Sequence, residues 1–362
     1  MLKKVLALVL GLVMVLSTVS ALAFSPVAVA DLKVGFIFIG DITDGGYNTA
    51  HYNGLIKASE NLGISQDQLY LKTNIPEDGK CETAIRELVE AGCQVIFGNS
   101  FGYQNYMEEL ADEFPEIIFI HCSGIKSNDT NYNNYYATLF EGRYLTGIAA
   151  GLKTKTNKLG FVGAMDNAEV NGGINAFYLG AKSVNPDVSL VVKYTNSWYD
   201  PTLERQTAEA LIASGCDVIA QHCDTSNPQV AAQEAGVFGC GTGTDMTEAA
   251  PDAHLTAMIF NWENAIQPFL QQVIDGTYVP ENKLYGLADG TVDISPLTKN
   301  VAEGTAEAIE AARAGIIDGT LDIFAGPLND NEGNVLVKEG ETLTRPQVAF
   351  ENVKLLEGII VE

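Results

Sequence analysis

Leu88-Val-Glu-Ala-Gly-Cys-Gln-Val-Ile96 and Leu211-Ile-Ala-Ser-Gly-Cys-Asp-Val-Ile219 are two copies of one short pattern. Each reads as the end of a helix, a glycine suited to the left-handed cap, and then a buried strand. A polar cluster follows each strand: Gly98-Asn99-Ser100-Phe101 in the first copy, Gln221-His222-Cys223-Asp224 in the second. Working outward, apolar strands alternate with helical spacing. Strands are predicted at 33–39, 94–97 and 117–120, with helices over 47–62 and 81–91. The order repeats with strands at 159–162, 188–192 and 217–220 and helices over 173–183 and 203–213. Alternating βα units imply parallel sheets covered by helices on both faces. The echo then implies two similar lobes, each presenting residues at the carboxyl ends of its strands, where ligands of open α/β sheets bind. Cys93 and Cys216 hold matching places in different lobes, so a disulfide between them is not expected.

The chain has 362 residues, enough for about two domains with a core each. An apolar fraction of 46% argues against disorder, and 19% charged residues argue against a charge-rich tail protein. A net charge of −25 repels phosphate backbones and anionic headgroups, which excludes nucleic acid as a partner. Lys3 and Lys4, an apolar run over 5–16, and Ala28-Val29-Ala30 have the order of a secretory signal cleaved after Ala30. An uncleaved anchor is the alternative, although the run is short for a spanning helix of about 20 residues. No cysteine lies near the cleavage site, so no lipid anchor is expected there. Export permits disulfides among Cys81, Cys93, Cys122, Cys216, Cys223 and Cys240, yet their spacing fits no zinc site, and buried thiols are the simpler reading.

The loop Gly40-Asp-Ile-Thr-Asp-Gly-Gly-Tyr-Asn48 leads from the first strand into a helix. Its glycines permit close approach of a ligand, and the helix start offers free N–H groups. Asp44 either caps that helix or faces the ligand; Tyr47 either stacks on a ligand or packs on the sheet. Phe101, Tyr103, Trp198 and Trp262 stand at strand or helix edges, where rings from two lobes would sandwich a planar heterocycle. Asp224 and Asp245 add acceptors for ring N–H or exocyclic amine donors. Chemistry is scarce. Motifs for a serine hydrolase, a P-loop or a zinc protease are absent from the sequence. Gly239-Cys-Gly-Thr-Gly243 lacks the helix and acid of a dinucleotide loop. A metal reading of His222-Cys223-Asp224 is disfavoured because adjacent strand side chains point apart.

The segments 33–54 (KVGFIFIGDITDGGYNTAHYNG), Ser100-Phe-Gly-Tyr103, Glu141-Gly-Arg-Tyr-Leu-Thr-Gly147, Gly173-Ile-Asn-Ala-Phe177 and Phe324-Ala-Gly-Pro327 run in an order that resembles the basic membrane protein family, the extracytoplasmic solute-binding subunits of ABC importers. The resemblance implies an α/β, type I periplasmic-binding-protein fold: two Rossmann-like lobes with parallel sheets, joined by three hinge strands. It divides the chain into a signal at 1–30, an N-terminal lobe at 31–138 plus 259–290, a C-terminal lobe at 139–258 plus 291–326, and a C-terminal hairpin and tail at 327–362. Hinge bending is expected near 136–140, 254–261 and 286–292. Characterised members bind purine nucleosides or bases. By position, Tyr47 resembles the stacking aromatic, Asn48 follows it as in the family, Asp44 matches the preceding acid, Trp198 an aromatic of the second lobe, and Asp245 a later acid.

Three positions depart from the nucleoside-binding pattern. Phe38-Ile39 and Gly243 stand where those members have acids, and Asn261-Trp262 where they have a lysine. Trp262 resembles the branch associated with free purine bases such as adenine. The expectation is therefore an exported, monomeric binding protein without cofactor, metal or catalytic residues. Its partners would be a purine and a membrane permease, and its ligand residues Asp44, Tyr47, Asn48, Ser100, Phe101, Trp198, Asp224, Asp245 and Trp262. The same fold binding a sugar, a flavin-like ring or a signalling molecule is the alternative. An exported nucleoside hydrolase is a third reading, supported only by the acids at 41–44.

Overall fold

The computed structural model describes residues 24–351 and 353–362. The signal reading over 1–30 falls outside this range for residues 1–23. Residues 24–30 lie against the first lobe: the Val27 N–H donates to the Ile274 carbonyl at 3.0 Å, and Phe24 meets Tyr278 edge-on at 5.6 Å.

The first part of the chain runs β1 (Val34–Ile37), α1 (Tyr47–Leu62), β2 (Leu69–Lys72), α2 (Gly79–Glu90), β3 (Val95–Gly98), α3 (Gln104–Glu113), β4 (Ile118–Cys122) and β5 (Tyr132–Ala137). It continues through α4 (Leu139–Lys153), β6 (Lys158–Gly163), α5 (Ala168–Val184), β7 (Ser189–Tyr194), α6 (Pro201–Ala213), β8 (Val218–His222), α7 (Asn227–Glu234), β9 (Phe238–Gly243) and β10 (His254–Phe260). Then follow α8 (Glu263–Asp275), β11 (Lys283–Tyr285), β12 (Val292–Ile294), α9 (Thr305–Asp318), the β13 (Leu328–Asn329) and β14 (Val335–Val337) hairpin, α10 (Arg345–Phe350) and β15 (Ile359–Val361).

Two sheets result. The first has the order β11-β5-β4-β3-β1-β2, and all its pairs are parallel. The second has the order β12-β10-β9-β8-β6-β7-β15, parallel except for β12 against β10. Alternation along β1 explains the layering. Val34 and Phe36 face a core shared with α1 and α8, and Ile37 faces one shared with α2 and α3. Burial on both faces makes these strands apolar throughout. The chain passes between sheets after β5, after β10 and between β11 and β12.

The sequence echo corresponds to one local geometry built twice. Gly92 and Gly215 both take positive φ, and the Cys93 and Cys216 N–H groups bond back to the Leu88 and Leu211 carbonyls at 3.1 and 3.2 Å. A Cβ on Gly35 would press on Leu88, Cys93 and Ile96; one on Gly160 would press on Leu211, Cys216 and Ile219. All six cysteines are buried, unpaired thiols.

The stretch after residue 327, for which the sequence suggested only a hairpin and tail, completes the second sheet: β15 pairs in parallel with β7, Ile359 opposite Leu190. Helices α4 and α5, which hold the Glu141–Gly147 and Gly173–Phe177 motifs, pack backbone to backbone. A Cβ on Gly147 would strike the Phe177 carbonyl, and one on Gly180 the Tyr144 carbonyl. Gly180→Ala is therefore expected to destabilise the protein by about 1–3 kcal/mol in urea unfolding. An unchanged midpoint would show that the two helices part freely.

Candidate functional site

A cleft of about 730 Å³ lies between the two sheets, within the range of ligand sites. Its walls come from the carboxyl ends of β1, β2, β3 and β4 on one side and of β6, β7 and β8 on the other. This is where open parallel sheets leave helix N-termini and loop side chains unpartnered by the sheet.

Asp44 organises the first wall. Its carboxylate accepts from the Gly46, Asn48 and Thr49 backbone N–H groups at 2.9–3.0 Å, capping α1, and from Asn48 Nδ2 at 2.8 Å. Asn48 Oδ1 in turn accepts from Asn99 Nδ2 at 3.0 Å, and Asn99 Oδ1 from the Ile39 N–H at 3.0 Å. The Tyr47 hydroxyl donates to the Asn99 carbonyl at 2.7 Å, which fixes its ring at the cleft wall. Ser100 donates to Glu77 at 2.6 Å, leaving Phe101 beside it 55% exposed.

The second wall is built from Glu169, Trp198, Tyr199 and Asp224. Trp198 is 39% exposed and leans edge-on toward His222 at 6.0 Å, while its carbonyl accepts the Asp224 N–H at 3.0 Å. Glu169 lies 3.5 Å from His222 Nε2. Burial holds the Asp224 carboxyl well above the usual carboxylate range, and the charges of Asp44, Glu204 and Glu169 add to this; the Tyr47 backbone N–H works the other way. Burial lowers the His222 imidazole, so it stays neutral more readily despite Glu169. The walls touch where the Thr244 hydroxyl donates to the Gly45 carbonyl at 2.6 Å.

Seven of the nine residues singled out from sequence line this cleft: Asp44, Tyr47, Asn48, Ser100, Phe101, Trp198 and Asp224. Asp245 and Trp262 are outside it. Asp245 is exposed and accepts from Thr247 N–H and hydroxyl, 3.7 Å from His254. Trp262 is 1% exposed because its indole is stacked between His51 at 4.2 Å and Phe260 at 4.7 Å. His51 in turn meets Tyr47 at 4.5 Å, so Trp262 supports the wall from behind. Burial drives the His51 imidazole down to about 3, keeping this stack uncharged.

Sequence reasoning passed over Glu169 and Phe350, named Asn99 only within the polar cluster after the 94–97 strand, and named Tyr136 only as a hinge position. Glu169 was within reach, since it follows β6 as the Asp41–Asn48 loop follows β1. Phe350 sits far along the chain and carried no signal. No Lys or Arg lines the cleft among the described residues, although Asp41, Asp44, Glu77, Glu169 and Asp224 do. Asp41 is engaged locally, accepting from Thr43 N–H and hydroxyl at 2.8 and 2.6 Å. Among the described residues no group of His, Cys, Asp or Glu is arranged to hold a metal, and no helix is long and apolar enough to cross a membrane.

The family model described as ABC transporter substrate-binding protein PnrA-like matches residues 31–323. A purine-binding protein of Brucella abortus (strain 2308) is 36% identical over 330 residues, covering 91% of this chain and 93% of its own. A Haloferax volcanii protein whose name provisionally assigns it glucose binding in an ABC transporter is 31% identical over 303 residues, 84% of this chain and 76% of its own. Among solved structures, an ABC transporter solute-binding protein from Aeropyrum pernix K1 superposes with a TM-score of 0.69 at 20% identity, covering 82% of this chain and 94% of that one. That likeness shows the fold, which is of the type I periplasmic-binding-protein kind. The breadth of the family match and the Brucella likeness together show that this chain belongs to the basic membrane protein family, the PnrA-like substrate-binding proteins of ABC transporters.

Proposed function

We propose that this chain is the exported ligand-binding subunit of an ABC importer and that it holds a purine base, adenine-like, in the cleft between its lobes without transforming it. The observation that carries this reading is the pairing of Phe101 and Trp198, exposed rings from opposite walls, with the acceptor Asp224 in a cleft whose described lining has no cation. Flat rings offer stacking faces, and Asp224 offers acceptors to N–H donors. A lining that holds five acids and no cation among the described residues disfavours a phosphate-bearing ligand. The purine-binding relative supports the same class.

A base rather than a nucleoside is favoured by two positions. Ile39, apolar, lines the cleft where nucleoside binders of the resembled pattern have an acid. Gly243 takes φ +78°, and a Cβ there would lie 3.2 Å from the Gly46 backbone, so that place is filled by main chain. Trp262 lies behind the wall, against His51 and Phe260, and does not reach the cleft. The three crossovers would serve as the hinge, and ligand touching both walls would favour the closed arrangement, the form a permease would read. The Asp41 and Asp44 carboxylates are each engaged in local backbone bonds, which give them a part in shaping the loop.

Calorimetric titration with adenine, guanine, adenosine, inosine and adenosine monophosphate tests the proposal. Adenine is expected to bind most tightly and the monophosphate not at all; no heat with any purine overturns it. Phe101→Ala and Trp198→Ala are each expected to weaken adenine about three- to tenfold.

Asp224 yields a second test. Its raised folded-state pKa means the folded protein favours the protonated form. That contribution to stability is complete below the ordinary carboxylate range and is lost as pH rises through the raised value. Asp224→Asn should therefore raise the Tm of the ligand-free protein at pH 7 and flatten its loss between pH 4 and pH 7, while weakening adenine. A lowered Tm would mean that the α1 N-terminus stabilises Asp224 as an anion.

A further inference from the structure

The family match ends at residue 323, yet the chain beyond it returns to the cleft. Thr344 and Gln347 form a capping box that starts α10, and this short helix brings Ala349 and Phe350 into the cleft wall. The Phe350 ring, 38% exposed, rests on Tyr136 with centroids 5.3 Å apart. Burial pushes the Tyr136 phenol up, and the neighbouring Glu169 adds to that. Three anchors hold the segment. A Cβ on Gly172 of α5 would press on Val348, so α10 sits directly on that helix. The Asn175 side chain donates to the Lys354 carbonyl at 2.9 Å and accepts the Leu356 N–H at 3.0 Å. Arg345 Nε pairs with the buried Glu141 at 2.9 Å, and its Nη2 donates to the Thr138 hydroxyl at 2.8 Å. Glu141 also accepts the Leu287 N–H at 2.8 Å, so the Arg345 cluster joins two of the three crossovers between sheets.

We propose that this C-terminal strap determines specificity: Phe350 forms an apolar wall that admits a bare flat heterocycle and disfavours one carrying a sugar, and Arg345 is the positioning residue that seats it. The proposal rests on the purine reading above. Phe350 and Ala349 present no side-chain donor or acceptor to the cleft they line. Sugar hydroxyls pressed against this wall would lose water without gaining partners. A flat ring edge meets the aromatic at no such cost.

The test titrates adenine and adenosine into the full chain and its variants, with circular dichroism to verify folding. Phe350→Ala is expected to weaken adenine about three- to tenfold and to narrow the adenine-to-adenosine ratio, because space opens where the sugar would lie. Phe350→Leu keeps apolar bulk on Tyr136, so adenine should weaken while the ratio is retained. Arg345→Met should narrow the ratio as Phe350→Ala does, a change that loss of a merely stabilising ion pair would not produce. If the wild-type chain binds adenine and Phe350→Ala leaves both affinity and ratio unchanged, the strap has no part in recognition and the purine reading stands. If the wild-type chain binds neither compound, the purine reading fails and the strap proposal with it.

Discussion

The two walls of the cleft meet through the N-terminus of α1, and they meet there only because Gly46 has no side chain. A Cβ at that position would lie 2.5 Å from the Asp224 carbonyl oxygen. With glycine, the helix start comes close enough for Asp44 to cap it from its own loop and for Asp224 to face the Tyr47 N–H from the other lobe. The positive end of a helix thus lies between the Asp44 carboxylate and the Asp224 carboxyl, whose ionisation burial and the Asp44 charge disfavour. Cleft width, the position of Tyr47 and the environment of Asp224 all follow from that approach.

Behind this contact lies a rigid support. Asp44, Asn48 and Asn99 are joined by hydrogen bonds that satisfy their side chains within the wall, so they hold shape more than they offer free partners. Tyr47, His51, Trp262 and Phe260 form a series of ring contacts leading from the cleft to the second crossover, after β10. The groups left open to a ligand are the exposed rings and the acids of the second wall. Polar residues with engaged side chains set the geometry, and those with open faces set the chemistry.

The crossovers gain a similar support from outside the repeated βα pattern. Glu141 is buried on α4 and is held by Arg345 and the Leu287 N–H, each from a segment remote in sequence. Burial raises its carboxyl, and Arg345 opposes that shift. A carboxylate placed among crossovers needs such partners, since an unpaired buried charge is costly.

Much of the fold was legible because its signals are local. The alternation of apolar strands with helical spacing, and the Gly-Cys echo at 92–93 and 215–216, report backbone geometry that neighbouring residues themselves dictate. The strand-end loops holding Tyr47, Phe101, Trp198 and Asp224 followed from the rule that parallel sheets open at their carboxyl ends. Trp262 and Asp245 show where that reasoning stopped. Residue type and position marked them as candidates, but whether an indole faces a cleft or stacks behind it depends on His51, two hundred residues away in sequence. Phe350 and β15 lay beyond any local signal, since their places are set by α5, by Arg345 reaching Glu141, and by a free edge on β7. The amino-acid sequence by itself determined two α/β lobes and the loops at their mouths, because periodicity and capping act over a few residues. Only the tertiary structure decided which of those side chains share a surface, because that depends on contacts between segments whose separation along the chain carries no record of their distance in space.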